Sequence, residues 1–176
     1  QNWIFRQPYP RISASFGAGA LIRGTMYLVG AGGHSSLTGF WQLPRGATSW
    51  SAFSGANGFM ASAAFYATVD GVGTQQDGFY MFGITQSAVF QPAVTTSRWT
   101  TLPALATSLQ RNAGGTAVVN DGIYLLGGYV ARTRRPTASV SIFNTTTRAF
   151  SQGVAMTAAR RNHAAAAYNG KIYVFG

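Results

Sequence analysis

The sequence predicts an all-β protein built as an array of similar four-stranded antiparallel units. Two series of aromatic residues recur with one period, and short apolar runs are joined by tight turns rich in Asn and Gly. Hydrophobic residues make up 47% of the chain and aromatic residues 14%, which argues against disorder. The 176 residues are enough for a domain with a buried core.

The first aromatic series lies in strands that run into glycine. These strands are "MYLVGAGG" at 26–33, "FYMFG" at 79–83, "IYLLGG" at 123–128 and "IYVFG" at 172–176. Their tyrosines, Tyr27, Tyr80, Tyr124 and Tyr173, are spaced 53, 44 and 49 residues apart. The second series is Trp3, Trp50, Trp99 and Phe150, spaced 47, 49 and 51 residues apart. Two independent markers with a period of about 50 predict a β-propeller or a similar array.

Each period contains the signals of a hairpin followed by two more strands. Apolar runs such as "GTAVV" and "HAAAAY" precede the turns "NDG" at 120–122 and "NG" at 169–170, which suit two-residue hairpins. A third strand is predicted in "SVSIF" at 139–143, and a fourth carries Trp or its substitute. The short "HAAAAY" run is predicted to be an inner strand, because small residues fit the tapered centre of a propeller.

The repeats resemble those of the Kelch family. "RRNHAAAAYNGKIYVFG" at 160–176 has an Arg before the first strand, a His opening it, an apolar run, an NGKIY turn and then Gly. "RNAGGTAVVNDGIYLLGG" at 111–128 repeats this pattern with a double Gly. The likeness covers essentially the whole chain, most strongly 98–176 and most weakly 56–97. It implies a β-propeller of four-stranded antiparallel Kelch-type blades, a fold used mostly as a binding scaffold.

Residues 1–176 are therefore expected to be a single β-propeller fragment, an incomplete ring. Complete blades are predicted near 12–53, 59–102 and 113–152, and partial blades at 1–8 and 163–176. The remaining blades are expected from the same longer chain or from another chain. A small ring closed by the strand at Trp3 is a further alternative. The chain begins with Gln1, which indicates either processing or a longer product.

The net charge points to an anionic partner. The chain has thirteen basic residues, all Arg except Lys171, but only three Asp and no Glu, so its net charge is +10. In an antiparallel blade with strands A to D, the A–B and C–D turns lie at one end, and the B–C and D–A connections lie at the other. The B–C/D–A face receives eight basic residues and no acid: Arg6, Arg11, Arg111, Arg132, Arg134, Arg135, Arg160 and Arg161. The other face receives Arg23, Arg45, Arg98, Arg148 and Lys171 with Asp70, Asp77 and Asp121.

These eight arginines are the predicted binding face. Arg132, Arg134 and Arg135 occupy three of four positions in the loop "YVARTRRPT" at 129–137, which favours an anionic contact. The resemblance places Arg11, Arg111 and Arg161 before a first strand, where a structural role is the alternative. The predicted partner is an anionic protein segment or another macromolecule. RNA is also possible, and the sequence does not distinguish between these partners.

The sequence predicts no catalytic residue, metal site or cofactor. The absence of Cys excludes disulfides, thiolate zinc sites and cysteine nucleophiles. Each Asp adjoins a turn glycine, and without Glu no pair of catalytic carboxylates forms elsewhere. His34 and His163 are far apart in the chain and map to or beside the basic face. No apolar run reaches membrane-spanning length, and nothing resembles a signal peptide.

The expected function is a non-catalytic scaffold for protein interaction or assembly, with the arginine-rich face holding an anionic partner. One alternative is a secreted glycan-binding or carbohydrate-active propeller, suggested by the 9% charged residues and many Ser and Thr. Another is a structural subunit of a ribonucleoprotein or other large assembly. The triplet "NTT" makes Asn144 a possible glycosylation site if the protein is secreted. The compartment itself is not predicted.

Overall fold

The structure, a computed structural model, describes residues 14–32, 39–53, 63–71, 76–83, 87–92, 99–105, 114–130 and 132–176. Within these ranges the regular elements are β-strands, and neighbouring strands of each sheet are antiparallel. This confirms the all-β prediction, including the assignment of the alanine-rich run to a strand. That run forms β15, Ala164–Tyr168, paired with β16, Lys171–Phe175.

Three four-stranded sheets follow one another along the chain. The first sheet contains β1 (Ala14–Ile22), β2 (Thr25–Gly32), β3 (Gly39–Leu43) and β4 (Ser51–Phe53). The second contains β5 (Ala63–Val69), β6 (Gly78–Gly83), β7 (Ser87–Phe90) and β8 (Trp99–Leu102). The third contains β9 (Gly115–Val119), β10 (Gly122–Leu126), β13 (Val140–Asn144) and β14 (Ala149–Gln152). A two-stranded ribbon of β11 (Tyr129–Val130) and β12 (Arg135–Pro136) is inserted between β10 and β13.

A cross-strand Ala–Tyr pair underlies the tyrosine repeat. Every tyrosine of the series lies opposite an alanine of the preceding strand: Ala20 and Tyr27, Ala67 and Tyr80, Ala117 and Tyr124, and Ala166 and Tyr173. Directly opposed side chains share one face of an antiparallel pair, so a small residue leaves room for the large ring. The four hairpins therefore share one register, although the turns between their strands differ in length.

The sheets pack face to face through three hydrophobic clusters. Tyr27 and Phe40 of the first sheet pack with Phe79, Met81 and Phe90 of the second. The second and third sheets share a cluster that includes Phe65, Tyr80, Phe82, Ile123, Leu125 and Phe143. The third sheet and the hairpin β15–β16 share the cluster of Ala117, Leu126, Val140, Ile172 and Val174. The inner strands β1, β5, β9 and β15 contact one another in that order. This is the arrangement of propeller blades around an axis.

The second aromatic series lies at or next to the first residue of the fourth strand in each of the three sheets. Trp99 lies opposite Phe90, and Phe150 lies opposite Phe143. In the first sheet Trp50 directly precedes β4, one residue beyond the pair Gln42–Ser51, and so follows the register of Leu43, which is the equivalent of Phe90. The extent of the propeller in the chain remains a prediction, and the partial blade at 1–8 lies outside the described residues.

Candidate functional site

The ribbon β11–β12 carries the three-arginine loop at one end of the third sheet. Its short strands pair Tyr129 with Pro136 and Val130 with Arg135, and residues 132–134 form the turn. Arg134 adopts a left-handed backbone conformation with φ of 53°, which tightens this turn. The three arginines therefore lie close together at the tip of a compact hairpin.

Backbone hydrogen bonds fix the ribbon to the segment that precedes β15. The Gly128 amide donates to the Arg160 carbonyl at 2.9 Å, and the Thr137 amide donates to the Gly128 carbonyl at 2.9 Å. The Arg160 amide donates in turn to the Thr137 carbonyl at 3.2 Å. The ribbon and the link at Arg160 thus lie side by side at the same end of the third sheet.

Four of the predicted arginines are exposed in this region. Arg132, Arg134 and Arg135 are exposed, and the described part of the chain gives their side chains no hydrogen-bonding or ion-pair partner. Arg161 is also exposed, and its guanidinium carbon lies 5.0 Å from the centre of the Tyr129 ring. This is a cation–π distance, so the ribbon holds Arg161 beside it. We call Arg132, Arg134, Arg135 and Arg161 the arginine cluster.

Arg160 has a different environment from its neighbour. Its Nη1 donates to the Gly176 carbonyl oxygen at 2.6 Å, and its backbone joins the ribbon. The side chain therefore braces the end of β16. Arg6, Arg11, Arg111 and His34 lie outside the described residues.

At the opposite end of the sheets, polar side chains connect neighbouring sheets. Asp77 forms an ion pair with Arg23 of the first sheet at 3.6 Å, a contact that the predicted turn role of Asp77 did not include. Arg148 Nη2 donates to Gln91 Oε1 at 3.4 Å across the second and third sheets. Arg23 and Arg148 thus contact groups within the protein, in contrast to the exposed cluster on the ribbon.

The predicted glycosylation residue is part of a hydrogen-bonded turn. Asn144 Nδ2, the atom that a glycan would modify, donates to Asp121 Oδ2 at 2.6 Å. Asn144 Oδ1 accepts from the backbone amides of Thr146 at 2.9 Å and Thr147 at 2.7 Å. N-linked modification would substitute one of the two hydrogens on this nitrogen, and glycosylation remains a prediction.

Burial shifts the pKa values of His163 and Tyr80 in opposite directions. His163 is 8% exposed, and its Nε2 accepts from the Gly115 amide at 3.2 Å. Burial, with a smaller effect of the nearby Arg160 charge, lowers the pKa of His163 below 6.5. Burial raises the pKa of the Tyr80 hydroxyl to about 12, and that hydroxyl donates to the Gln76 carbonyl at 2.8 Å.

Neither a metal cluster nor a membrane-spanning helix is found in the described ranges. No three His or Asp side chains among these residues lie close enough together to hold a metal ion. None of the described segments forms a helix with the length and hydropathy needed to cross a bilayer.

Comparison with known proteins matches residues 110–157 to the family model of the Kelch motif. The matched stretch contains the third sheet and the ribbon with its three arginines. No curated protein matches the chain. The match and the four-stranded antiparallel sheets confirm the family resemblance predicted from the repeats.

Proposed function

We propose that this chain is a non-catalytic interaction scaffold whose arginine cluster binds an acidic segment of a partner protein. The premise is that the chain is a Kelch-repeat protein built of propeller-type blades. Kelch domains generally mediate protein interaction, which supports the scaffold role. The observation that carries the finer proposal is the exposure of Arg132, Arg134 and Arg135 on one short ribbon. Arginine binds carboxylates through paired donors, so such a cluster suits Asp- and Glu-rich chains.

The ribbon is held in place before any partner binds. Its backbone bonds to Gly128 and Arg160 restrict the strands, and the Thr137 hydroxyl lies 2.9 Å from the Ser139 hydroxyl. A fixed ribbon loses less conformational entropy on binding than a mobile loop does. The Arg161 guanidinium carbon lies 5.0 Å from the centre of the Tyr129 ring, so a cation–π contact holds this charge beside the ribbon.

The chemistry around the cluster favours a peptide over RNA. Nonspecific binding of single-stranded nucleic acid uses aromatic rings on which bases stack. Tyr129 is half-buried, and Arg161 lies over its ring. Binding of RNA would then depend on phosphate contacts alone, whereas carboxylates on an extended peptide match the exposed guanidinium groups directly.

The test is binding of a fluorescent poly-glutamate peptide, measured by anisotropy at increasing salt concentration. We expect the double variant Arg132→Ala/Arg135→Ala to weaken binding at low salt by at least about tenfold, because two charge-assisted contacts are lost. Wild-type affinity is expected to fall as salt screens these contacts.

Matched single variants separate a site from a simple charge effect. Arg132→Ala and Arg45→Ala each remove one exposed positive charge, at opposite ends of the sheets. Equal losses from both variants would show that net charge alone attracts the peptide, and the site proposal would then be wrong. Tight binding of poly-uridine with no binding of poly-glutamate would also overturn it and favour the ribonucleoprotein alternative.

A further inference from the structure

The register of the ribbon β11–β12 places its side chains on two different faces. In an antiparallel pair, directly opposed residues lie on the same face, and the next residue along each strand lies on the other. Tyr129 and Pro136 therefore share one face, and Val130 and Arg135 share the opposite one. We call the first the tyrosine face and the second the valine face.

The arginine cluster is divided between these two faces. The Arg161 guanidinium carbon lies 5.0 Å from the centre of the Tyr129 ring, which places its charge on the tyrosine face. Arg135 projects from the valine face. Arg132 and Arg134 lie between them, in the turn at the tip of the ribbon. The positive charge thus surrounds the tip rather than lining one side of the ribbon.

Both faces of the ribbon are accessible from solvent. Pro136 of the tyrosine face is exposed, and Tyr129 and Val130 are half-buried. These three residues belong to none of the three hydrophobic clusters that join the sheets. A partner chain can therefore contact the ribbon from either side.

The chain supplies no carboxylate side chain to the cluster. Its sequence has three Asp and no Glu. Asp77 forms its ion pair with Arg23 at the opposite end of the sheets. Asp121 accepts from Asn144 at that end, and Asp70 directly follows β5 there. Carboxylates for the two faces of the ribbon are therefore expected from a partner.

We propose that the acidic segment of the partner crosses the tip of the ribbon, with one carboxylate at Arg161 on the tyrosine face and another at Arg135 on the valine face. The crossing rests on the proposed function and specifies the kind of segment that the cluster fits. A segment lying along one face would contact one of these two arginines and leave the other in water. Crossing the tip allows both to pair with carboxylates and brings the same segment past Arg132 and Arg134.

The separation of the two faces sets the spacing of the acidic residues. Stacked sheets lie about 10 Å apart, so side chains project about 5 Å from each side of a β-ribbon. The charges on the two faces are then separated by about 10 Å or more, and an extended chain advances about 3.3 Å per residue. Acidic residues about three or four positions apart in an extended segment therefore match the two faces, whereas adjacent acidic residues do not.

The experiment compares two peptides of equal charge, both with blocked ends, as competitors of the labelled poly-glutamate peptide. The spaced peptide is Glu-Gly-Ser-Gly-Glu, and the adjacent peptide is Glu-Glu-Gly-Ser-Gly. We expect the spaced peptide to displace the label at a concentration about two- to fivefold lower, because an exposed ion pair contributes only a small energy. Arg161→Ala and Arg135→Ala should each abolish this preference, since either change removes the charge from one face.

Arg45→Ala is the matched control, because it removes an exposed charge at the opposite end of the sheets and should leave the preference unchanged. Circular dichroism checks that each variant keeps its strand content, and Arg161→Gln replaces Arg161→Ala if the latter does not fold. Equal competition by the two peptides would overturn the crossing. So would a preference for the spaced peptide that persists in Arg161→Ala or in Arg135→Ala.

The poly-glutamate measurements distinguish failure of the crossing from failure of the proposed function. If poly-glutamate binding depends on Arg132 and Arg135 but the spaced peptide has no advantage, the crossing alone is wrong. If poly-glutamate binding does not depend on these arginines, the proposed function is wrong and the crossing with it.

Discussion

His163 is a buried histidine whose hydrogen bond holds the hairpin β15–β16 to the third sheet. Its Nε2 accepts from the Gly115 amide, so the neutral form with the proton on Nδ1 fits this contact. Protonation would place a donor against a donor and a second positive charge near Arg160. The hydrogen bond from the Gly115 amide therefore requires the neutral imidazole of His163.

We expect the stability of the protein to fall as pH decreases below about 6.5, the ordinary pKa of histidine. The folded-state pKa is lower than that, so between the two values the unfolded chain binds more protons. The contribution of His163 is fully present above pH 6.5 and is lost as pH falls toward the folded-state pKa. Urea unfolding midpoints measured across this range check the expectation.

His163→Gln should reduce this pH dependence, because an amide oxygen can accept from Gly115 but does not titrate. His34→Gln is the matched control for the second histidine of the sequence. If His34→Gln removed the dependence of the urea midpoint on pH and His163→Gln left it unchanged, the assignment to His163 would be wrong.

At the scale of elements, the sheets are joined by aromatic side chains. Phe82 of the second sheet lies 5.1 Å from Phe143 and 5.7 Å from Phe150 of the third, between ring centroids. Phe40 of the first sheet similarly lies 5.7 Å from Phe90 of the second. Aromatic pairs at such separations add to the stabilisation from area burial. The packing of one sheet therefore depends on its neighbour.

Phe82→Ala is expected to lower the free energy of unfolding by about 3–5 kcal/mol, because it leaves a cavity between two sheets. Phe175→Ala is the matched control at the equivalent position of the hairpin, where the side chain is 59% exposed. The control variant should lower the free energy of unfolding much less, because its side chain is already exposed to solvent. Urea titration of both variants tests this, and similar losses would contradict the packing described for Phe82.

At the scale of the whole molecule, each sheet contributes to the core on one or both of its faces. The second sheet belongs to two clusters, one with the first sheet and one with the third. The third sheet likewise belongs to two, one with the second sheet and one with the hairpin β15–β16. Repeats that share interfaces in this way are coupled to their neighbours.

We therefore expect the sheets to unfold together rather than one at a time. Tryptophan fluorescence reports on Trp3, Trp41, Trp50 and Trp99, of which the last three lie in or directly before strands of the first two sheets. It should give the same urea midpoint as far-UV circular dichroism. Phe143→Ala, a change in the third sheet, should shift both signals equally. A fluorescence transition that stays at the wild-type midpoint would show that the sheets unfold independently.

Much of the fold can be predicted from local features of the sequence. Hairpin turns such as Asn169–Gly170 have the positive φ angles that these residues favour, and the period of the tyrosines marks the repeat. The exact ends of the strands were less predictable, because the repeat marker Trp99 is the first residue of its strand whereas Trp50 directly precedes the fourth strand of the first sheet. Register depends on the partner strand, which no single segment specifies.

The candidate site also combines features that the local sequence predicts with features that only the fold decides. The loop composition alone indicates exposed arginines at Arg132, Arg134 and Arg135, but it cannot separate Arg160 from Arg161. These neighbours have the same side chain, and only the fold brings one to the Gly176 carbonyl and the other to the Tyr129 ring. The ion pair between Arg23 and Asp77 is likewise invisible in the sequence, since it joins turns of different sheets.

The sequence by itself thus determined the strands, the hairpins and the repeat, because backbone preferences and alternating side chains act over a few residues. The tertiary structure alone decided which of Arg160 and Arg161 is exposed and which aspartate forms an ion pair with Arg23. Those properties depend on contacts between residues that are distant in the chain, and their energies exist only once the sheets have packed.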